Sequence, residues 1–171
     1  MLQVPMEPFD YPDNDPGPHT LTVQAGQREN ADRLHWIMGR FTGYFGLVNA
    51  MGDKLTANEA ALQPLVSEIA SRGLVFLDDG SSPRSVIAAT PSPSIPTARA
   101  NIVLDAVPGP DAVEEALTRL EALARERGLA VGTANAAPAT LDRIARWAKT
   151  LPGKGIELVP VSSAYEGLDR R

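Results

Sequence analysis

Phe76-Leu77-Asp78-Asp79-Gly80-Ser81-Ser82 sets two carboxylates directly behind an apolar run that reads as a buried strand. Paired carboxylates can divide acid and base roles, or bind a cation, when their surroundings separate their pKa values. The same residues also suit a plain Asp-Gly turn in which Ser81 or Ser82 caps the next helix. Asp105 closes a second run, Asn101 to Leu104, ahead of the turn Pro108-Gly109-Pro110. An aspartate there is either a metal ligand or its supporting partner, or a solvated strand end. Glu7 and Asp10 belong to an opening stretch in which Pro5, Pro8, Pro12, Pro16 and Pro18 alternate with Glu7, Asp10, Asp13 and Asp15, and no Lys or Arg comes before Arg28. Each proline fixes its own φ and pushes the residue before it towards extended geometry. The stretch therefore reads as a stiff loop with projecting carboxylates, behind a strand ending near Val4.

Other residue types narrow the chemistry. The two histidines, His19 and His35, stand outside any HxxxH or HxH pattern, and a catalytic zinc site needs imidazoles presented together. His19, inside the acidic loop, is the functional candidate of the two. Gly39-Arg40-Phe41-Thr42-Gly43 has neither the following Lys-Ser/Thr nor the preceding strand of a phosphate loop. Arg40 remains available for a carboxylate or for sugar hydroxyls. With no cysteine and no Gly-x-Ser-x-Gly, little is left for a nucleophilic triad.

The chain has 171 residues, a hydrophobic content of 43% and a formal net charge of −5. That is enough for one domain with a sizeable core. No cluster of Lys and Arg could neutralise several phosphates, so nucleic acid is not an expected partner. No run approaches the length of a membrane span, and the N-terminus lacks the basic flank and cleavage pattern of a signal peptide. Met1-Leu2-Gln3-Val4-Pro5 reads as a strand already under way, so the chain is expected to be part of a longer protein. Its oligomeric state is not readable.

The elements that must position these residues follow a recurring order of helix, glycine, strand. It appears at Gly73 before Leu74 to Leu77, at Gly128 before Leu129 to Val131, and at Gly155 before Ile156 to Val159. Each glycine suits the left-handed position that ends a helix. The glycines lie 55 and 27 residues apart, which leaves room for one more unit, whose strand is Ala100 to Asp105. Thr56-Ala57-Asn58-Glu59 reads as a capping box before a helix with Ala61, Leu62, Leu65, Val66 and Ile69 on one face, which Pro64 is expected to kink. A second helix runs from Asp111 to Gly128 through Val113, Leu117, Leu120 and Ala124, with a Glu/Arg-rich face that reads as solvated. A third starts near Pro138 and shows Leu141, Ile144, Ala145, Ala148 and Leu151. With Tyr44 to Asn49 and the opening run as strands, about six βα units emerge. That is an α/β fold with a parallel sheet, and the uniform unit length favours a ring over an open sheet. Ser82 to Thr97, with four prolines, reads as an irregular link with a short helix over Ser85 to Ala89, and Gly167 to Arg171 as a frayed end. Function in such folds collects at the carboxyl ends of strands. Those ends hold Glu7 and Asp10; Asn49 and Asp53; Asp78, Asp79, Ser81 and Ser82; Asp105; Thr133 and Asn135; and Ser162 and Ser163.

Read in order, Pro5-Met6-Glu7-Pro8, Asp15-Pro16-Gly17-Pro18-His19, Val48-Asn49-Ala50-Met51-Gly52, Phe76 to Ser82 and Leu158-Val159-Pro160-Val161-Ser162 resemble the divergent polysaccharide deacetylase family over nearly the whole chain. That family is similar to the NodB-like carbohydrate esterases, which use a distorted, incomplete (β/α) barrel and a divalent metal to remove acetyl groups from sugars. The resemblance implies a single deacetylase-like domain over residues 1–171, preceded in complete members by a βα section that carries an Asp-Asp motif. It also implies a cell-envelope or periplasmic setting and a carbohydrate or peptidoglycan-type ligand. Where the family shows Asn-His-Met-Gly and Gly-His-Pro, this chain has Asn49-Ala50-Met51-Gly52 and Ala134-Asn135-Ala136. Without those imidazoles, Glu7, Asp78 and Asp105 are the expected catalytic carboxylates and the only apparent oxygen ligands for a harder ion. One would position or deprotonate water and another would protonate the leaving amine or alcohol. Asp10, His19, Arg40, Asn49, Asp79, Ser81 and Asn135 are the expected substrate contacts. The alternative is a catalytically silent glycan-binding or scaffold domain of the envelope.

Overall fold

The opening run forms strand β1 (Leu2–Met6), on whose carboxyl end Glu7 follows directly. The computed structural model describes residues 1–88 and 96–165, which fall into two compact units, Met1–Arg99 and Ala100–Arg171.

In the first unit, β1 pairs with β2 (Gly46–Met51), β2 with β3 (Val75–Asp78) and β3 with β4 (Thr97–Arg99), all parallel. Gly46 is required where it stands, because a Cβ there would meet Val75 Cγ2 at 2.4 Å and Val75 O at 2.6 Å. Helix α1 (Gln27–Met38) was not anticipated from the sequence. It buries Asn30, Leu34, Ile37 and Met38, a spacing of four, three and one that puts them on one face. Asn30 is satisfied inside the fold: its Oδ1 accepts from Thr22 N, and its Nδ2 donates to Thr22 O and Ala25 O.

A four-residue helix, α2 (Asp53–Thr56), precedes α3 (Glu59–Ser71). The expected capping box is shifted by two residues. Asn58 caps α3 by accepting from Ala61 N at 3.0 Å, whereas Thr56 closes α2 with its hydroxyl on Gly52 O. Helix α3 runs unbroken through Pro64 and packs Leu62, Leu65, Val66 and Ile69 into a core with Val4, Met6, Leu34, Leu47 and Phe76. Strand β4 lies at the end of the stretch expected to be a link, and the anticipated short helix reduces to one 3-10 turn, Val86–Ala88. The rest of that stretch, residues 89–95, lies outside the described residues, as does the expected frayed end from Gly167.

In the second unit, β5 (Ile102–Val103) pairs in parallel with β6 (Gly132–Thr133). The expected strand Leu129 to Val131 has moved towards its carboxyl end, although Val131 O still accepts from Asn101 N at 2.7 Å. Helix α4 (Pro110–Arg127) has proline in its first turn and ends at Gly128 with φ 81°, the left-handed geometry its glycine allows. Val113, Ala116, Leu117 and Leu120 join Leu104 in this unit's core. Helix α5 (Pro138–Ala148) turns Ile144 inwards and is followed by the buried Leu151 as expected, but Thr140 and Trp147 also face inwards, whereas Leu141 and Ala145 are exposed. Ile156 to Val159 is not a strand. The chain there follows a 3-10 turn (Pro152–Lys154) and precedes another (Val161–Ala164), and Leu158 is 63% exposed. Ser162 and Ser163 therefore sit in a 3-10 turn and not at a strand end.

The fold is thus α/β with parallel strands, four in one sheet and two in another among the described residues. The six-stranded series expected from the spacing is reached only by counting β4, because the last expected strand is missing.

Candidate functional site

The carboxyl end of the four-stranded sheet gathers buried polar side chains: Glu7 is 3% exposed, Asn49 2%, Asp78 1% and Ser82 2%. Burial of such groups is unfavourable unless each finds partners, so their hydrogen bonds define the site.

Glu7 is held on every side. Its Oε1 accepts from Lys54 Nζ at 2.6 Å and its Oε2 from Val23 N at 2.6 Å. Its backbone oxygen accepts from Lys54 N and Leu55 N, both at 3.2 Å, and its N–H donates to Leu21 O. Lys54 reaches Glu7 because the chain after β2 folds back sharply. Met51 has φ 58° and Gly52 φ 96°, and a Cβ on Gly52 would lie 2.5 Å from Met6 Cβ. Only glycine fits there. Asn49 ties β2 to the loop after β3, accepting from Asp79 N at 2.8 Å and donating to Met51 O at 2.7 Å.

Asp78 Oδ1 accepts from Gly80 N at 2.8 Å. Its Oδ2 faces Arg99 Nε at 3.7 Å, too far for a hydrogen bond, and both atoms are buried without a hydrogen-bond partner. Arg99 also donates from Nη2 to Ser82 O. Ser85 Oγ is a third buried atom in this unit without a hydrogen-bond partner among the described residues. The loop turns as its Asp-Gly dipeptide suggested: Asp79 Oδ1 accepts from Ser81 N at 2.9 Å and from Ser81 Oγ at 2.6 Å.

The remaining expected residues lie elsewhere in their units. Asp10 is exposed in the acidic loop, where the Tyr11–Pro12 peptide is cis. His19, also exposed, stacks on Trp36 of α1 at 3.8 Å, and the Arg40 guanidinium lies 4.5 Å from the same ring. His35 pairs with Glu68 of α3 at 2.6 Å, a structural contact. Asp53 begins α2. In the second unit Asp105 and Asn135 meet, Asp105 Oδ2 accepting from Asn135 N at 2.9 Å, while Asp105 Oδ1 is buried without a hydrogen-bond partner. Thr133 O accepts from Leu104 N.

Lys54, Arg99 and Ser85 are the site residues that sequence reasoning missed. Lys54 stands two residues after Gly52 near a strand end, but a lone lysine beside Asp53 reads as solvated surface. Arg99 had no legible signal, because Thr-Ala-Arg carries no apolar run. For a divalent metal the donor set does not fit. Both Glu7 oxygens and one Asp78 oxygen are already engaged, the other Asp78 oxygen faces a guanidinium, and Ala50 offers no ligand atom. Among the described residues no three His, Cys, Asp or Glu side chains gather as metal ligands.

A parallel sheet with helices, carrying buried carboxylates at the strand ends, is an α/β frame of the kind in which ligand sites form at the carboxyl ends of strands. Among solved structures, the crystal structure of an uncharacterized protein from Agrobacterium tumefaciens C58 is similar, with 39% identity and a TM-score of 0.89 over 95% of this chain and 67% of that one. Among curated proteins none matches. The profile of the divergent polysaccharide deacetylases matches residues 1–165, and the chain belongs to that family, which implies the NodB-like superfamily.

Proposed function

We propose that this chain is a carbohydrate deacetylase-like protein that removes acetyl groups from cell-envelope sugars by hydrolysis. The observation that carries the reading is the buried set Glu7, Asn49, Asp78 and Ser82 at the strand ends of a chain in a carbohydrate-acting family. Water would add to the acetyl carbonyl carbon and give its proton to Asp78 Oδ2, the carboxylate oxygen with no hydrogen bond of its own. The bond from that carbon to the sugar nitrogen or oxygen would then break. Asp78 would pass that proton to the leaving nitrogen or oxygen, and the acetyl group would depart as acetic acid, which becomes acetate by losing its remaining proton to solvent. Both Glu7 oxygens already accept hydrogen bonds, so this reading gives Glu7 no part in proton transfer. An incomplete (β/α) barrel is the architecture that goes with this reading, and the parallel order β1-β2-β3-β4 supports it. The envelope or periplasm, and peptidoglycan as substrate, rest on the family's substrate class alone.

A second reading is favoured by the closure of the site around Glu7 and Asp78: a catalytically silent glycan-binding or scaffold domain. Acetate release from chitooligosaccharides and peptidoglycan fragments, measured beside calorimetric binding of the same ligands, separates the two. Acetate supports hydrolysis, and binding without acetate supports the silent domain. Neither acetate nor binding overturns both.

A further inference from the structure

We infer that Lys54 is the resident cation of the first unit's site, holding the place on Glu7 that a divalent ion would need and presenting its ammonium to a neutral oxygen of the ligand. Lys54 grips Glu7 twice, with Nζ on Oε1 and with its backbone N–H on Glu7 O. The left-handed pair Met51 and Gly52, with Gly52 packed on Met6, sets that position, so the ammonium is placed by the backbone and not by a mobile stem alone. Arg99 faces Asp78 as an ion pair at 3.7 Å, without a hydrogen bond between the paired atoms. Two buried carboxylates are thereby matched by two side-chain cations, and a divalent ion on Glu7 would have to displace an ammonium from a buried partner.

The Lys54 side chain is 33% exposed, whereas that of Glu7 is 5% exposed. An ammonium has three donors and no acceptor. With one donor on Glu7, Lys54 can offer another to a carbonyl or hydroxyl oxygen. An acetamido or hydroxyl group of a glycan is the ligand class that fits, because it brings an acceptor without a charge to neutralise. This second part rests on the carbohydrate reading above; the first part does not.

The test uses the full chain as wild type, Glu7→Gln, Lys54→Gln and Lys54→Arg. Glutamine at 54 keeps a donor for Glu7 and removes the charge, and thermal melts check that each variant is folded. Binding of Zn2+ and Mn2+ is measured by calorimetry and by metal content after dialysis. Equal metal binding by wild type and Glu7→Gln supports the inference; an ion held by wild type and lost in Glu7→Gln overturns it. Chitopentaose affinity should weaken about tenfold or more in Lys54→Gln and recover in Lys54→Arg, and an unchanged affinity in Lys54→Gln overturns the ligand contact. If wild type binds no chitopentaose, the contact is measured on peptidoglycan fragments instead; if it binds neither, the carbohydrate reading falls, and the metal comparison still decides the role of Lys54.

Discussion

Asp78 combines two duties that a single substitution can separate. Its Oδ1 closes the turn through Gly80 N, and its Oδ2 supplies the charge facing Arg99. Asparagine keeps the first duty and removes the second. Breaking a fully buried ion pair costs about 3–5 kcal/mol, but the Arg99 side chain is 28% exposed and can regain water, so Asp78→Asn should cost about 1–3 kcal/mol in urea unfolding. Glycan binding or acetate release should be lost while the protein remains folded. Wild-type stability together with wild-type ligand behaviour would reduce Asp78 to a turn residue. Asp78 was legible because an apolar run ended on it. Its partner was not, since Arg99 sits in a three-residue strand behind a proline-rich stretch, and an isolated arginine in such surroundings has no readable partner. Lys54 was missed for a different reason: a lone lysine beside an aspartate looks like solvated surface, and only the left-handed turn at Met51 and Gly52 brings it back over Glu7.

At the scale of elements, the Glu/Arg-rich face of α4 is solvated as its charge pattern suggests, at Glu114, Glu115, Arg119, Glu126 and Arg127, and Glu121 is the exception. Glu121 on α4 accepts from Trp147 Nε1 of α5 at 2.7 Å and from Lys154 Nζ of the following 3-10 turn at 2.6 Å, so one carboxylate ties three elements. Partial burial opposes its charge, but the hydrogen bonds from Lys154 and Trp147, with the charges of Lys154 and Arg125, prevail and hold Glu121 below the ordinary glutamate value of 4.5. The folded value is then under the unfolded one. Its contribution is fully present above about pH 4.5 and is lost as pH falls through the folded value. Glu121→Gln should therefore cost about 0.5–1 kcal/mol near pH 7 and progressively less in acid. Denaturant midpoints at pH 7 and pH 3 check this, and an equal gap at both pH values would rule the linkage out. The misread elements have physical causes of their own. Helix α1 opens at Gly26 without a side-chain cap and carries charges between its core positions, so its start is unmarked. Ile156 to Val159 has the composition of a strand but pairs with nothing among the described residues and stays largely exposed, which composition alone could not reveal.

At the scale of the whole molecule, the near-regular spacing of Gly73, Gly128 and Gly155 pointed to a uniform series of βα units in one domain. Two of those glycines follow helices and lead towards strands, but the third leads to none, so the regularity marks helix ends more faithfully than it marks strands. Each unit has an apolar core of its own, with Leu47 fully buried in the first and Leu117 2% exposed in the second. Leu47→Ala and Leu117→Ala should each cost about 3 kcal/mol, the transfer of the lost methyl groups plus the cavity left behind. If the chain is one domain, as its size suggests, both variants lower the same cooperative transition, and fluorescence, circular dichroism and calorimetry report one midpoint. Two separated transitions, with Leu47→Ala moving one and Leu117→Ala the other, would show two domains and confine the Glu7–Lys54 and Asp78–Arg99 pairs to the stability of the first alone.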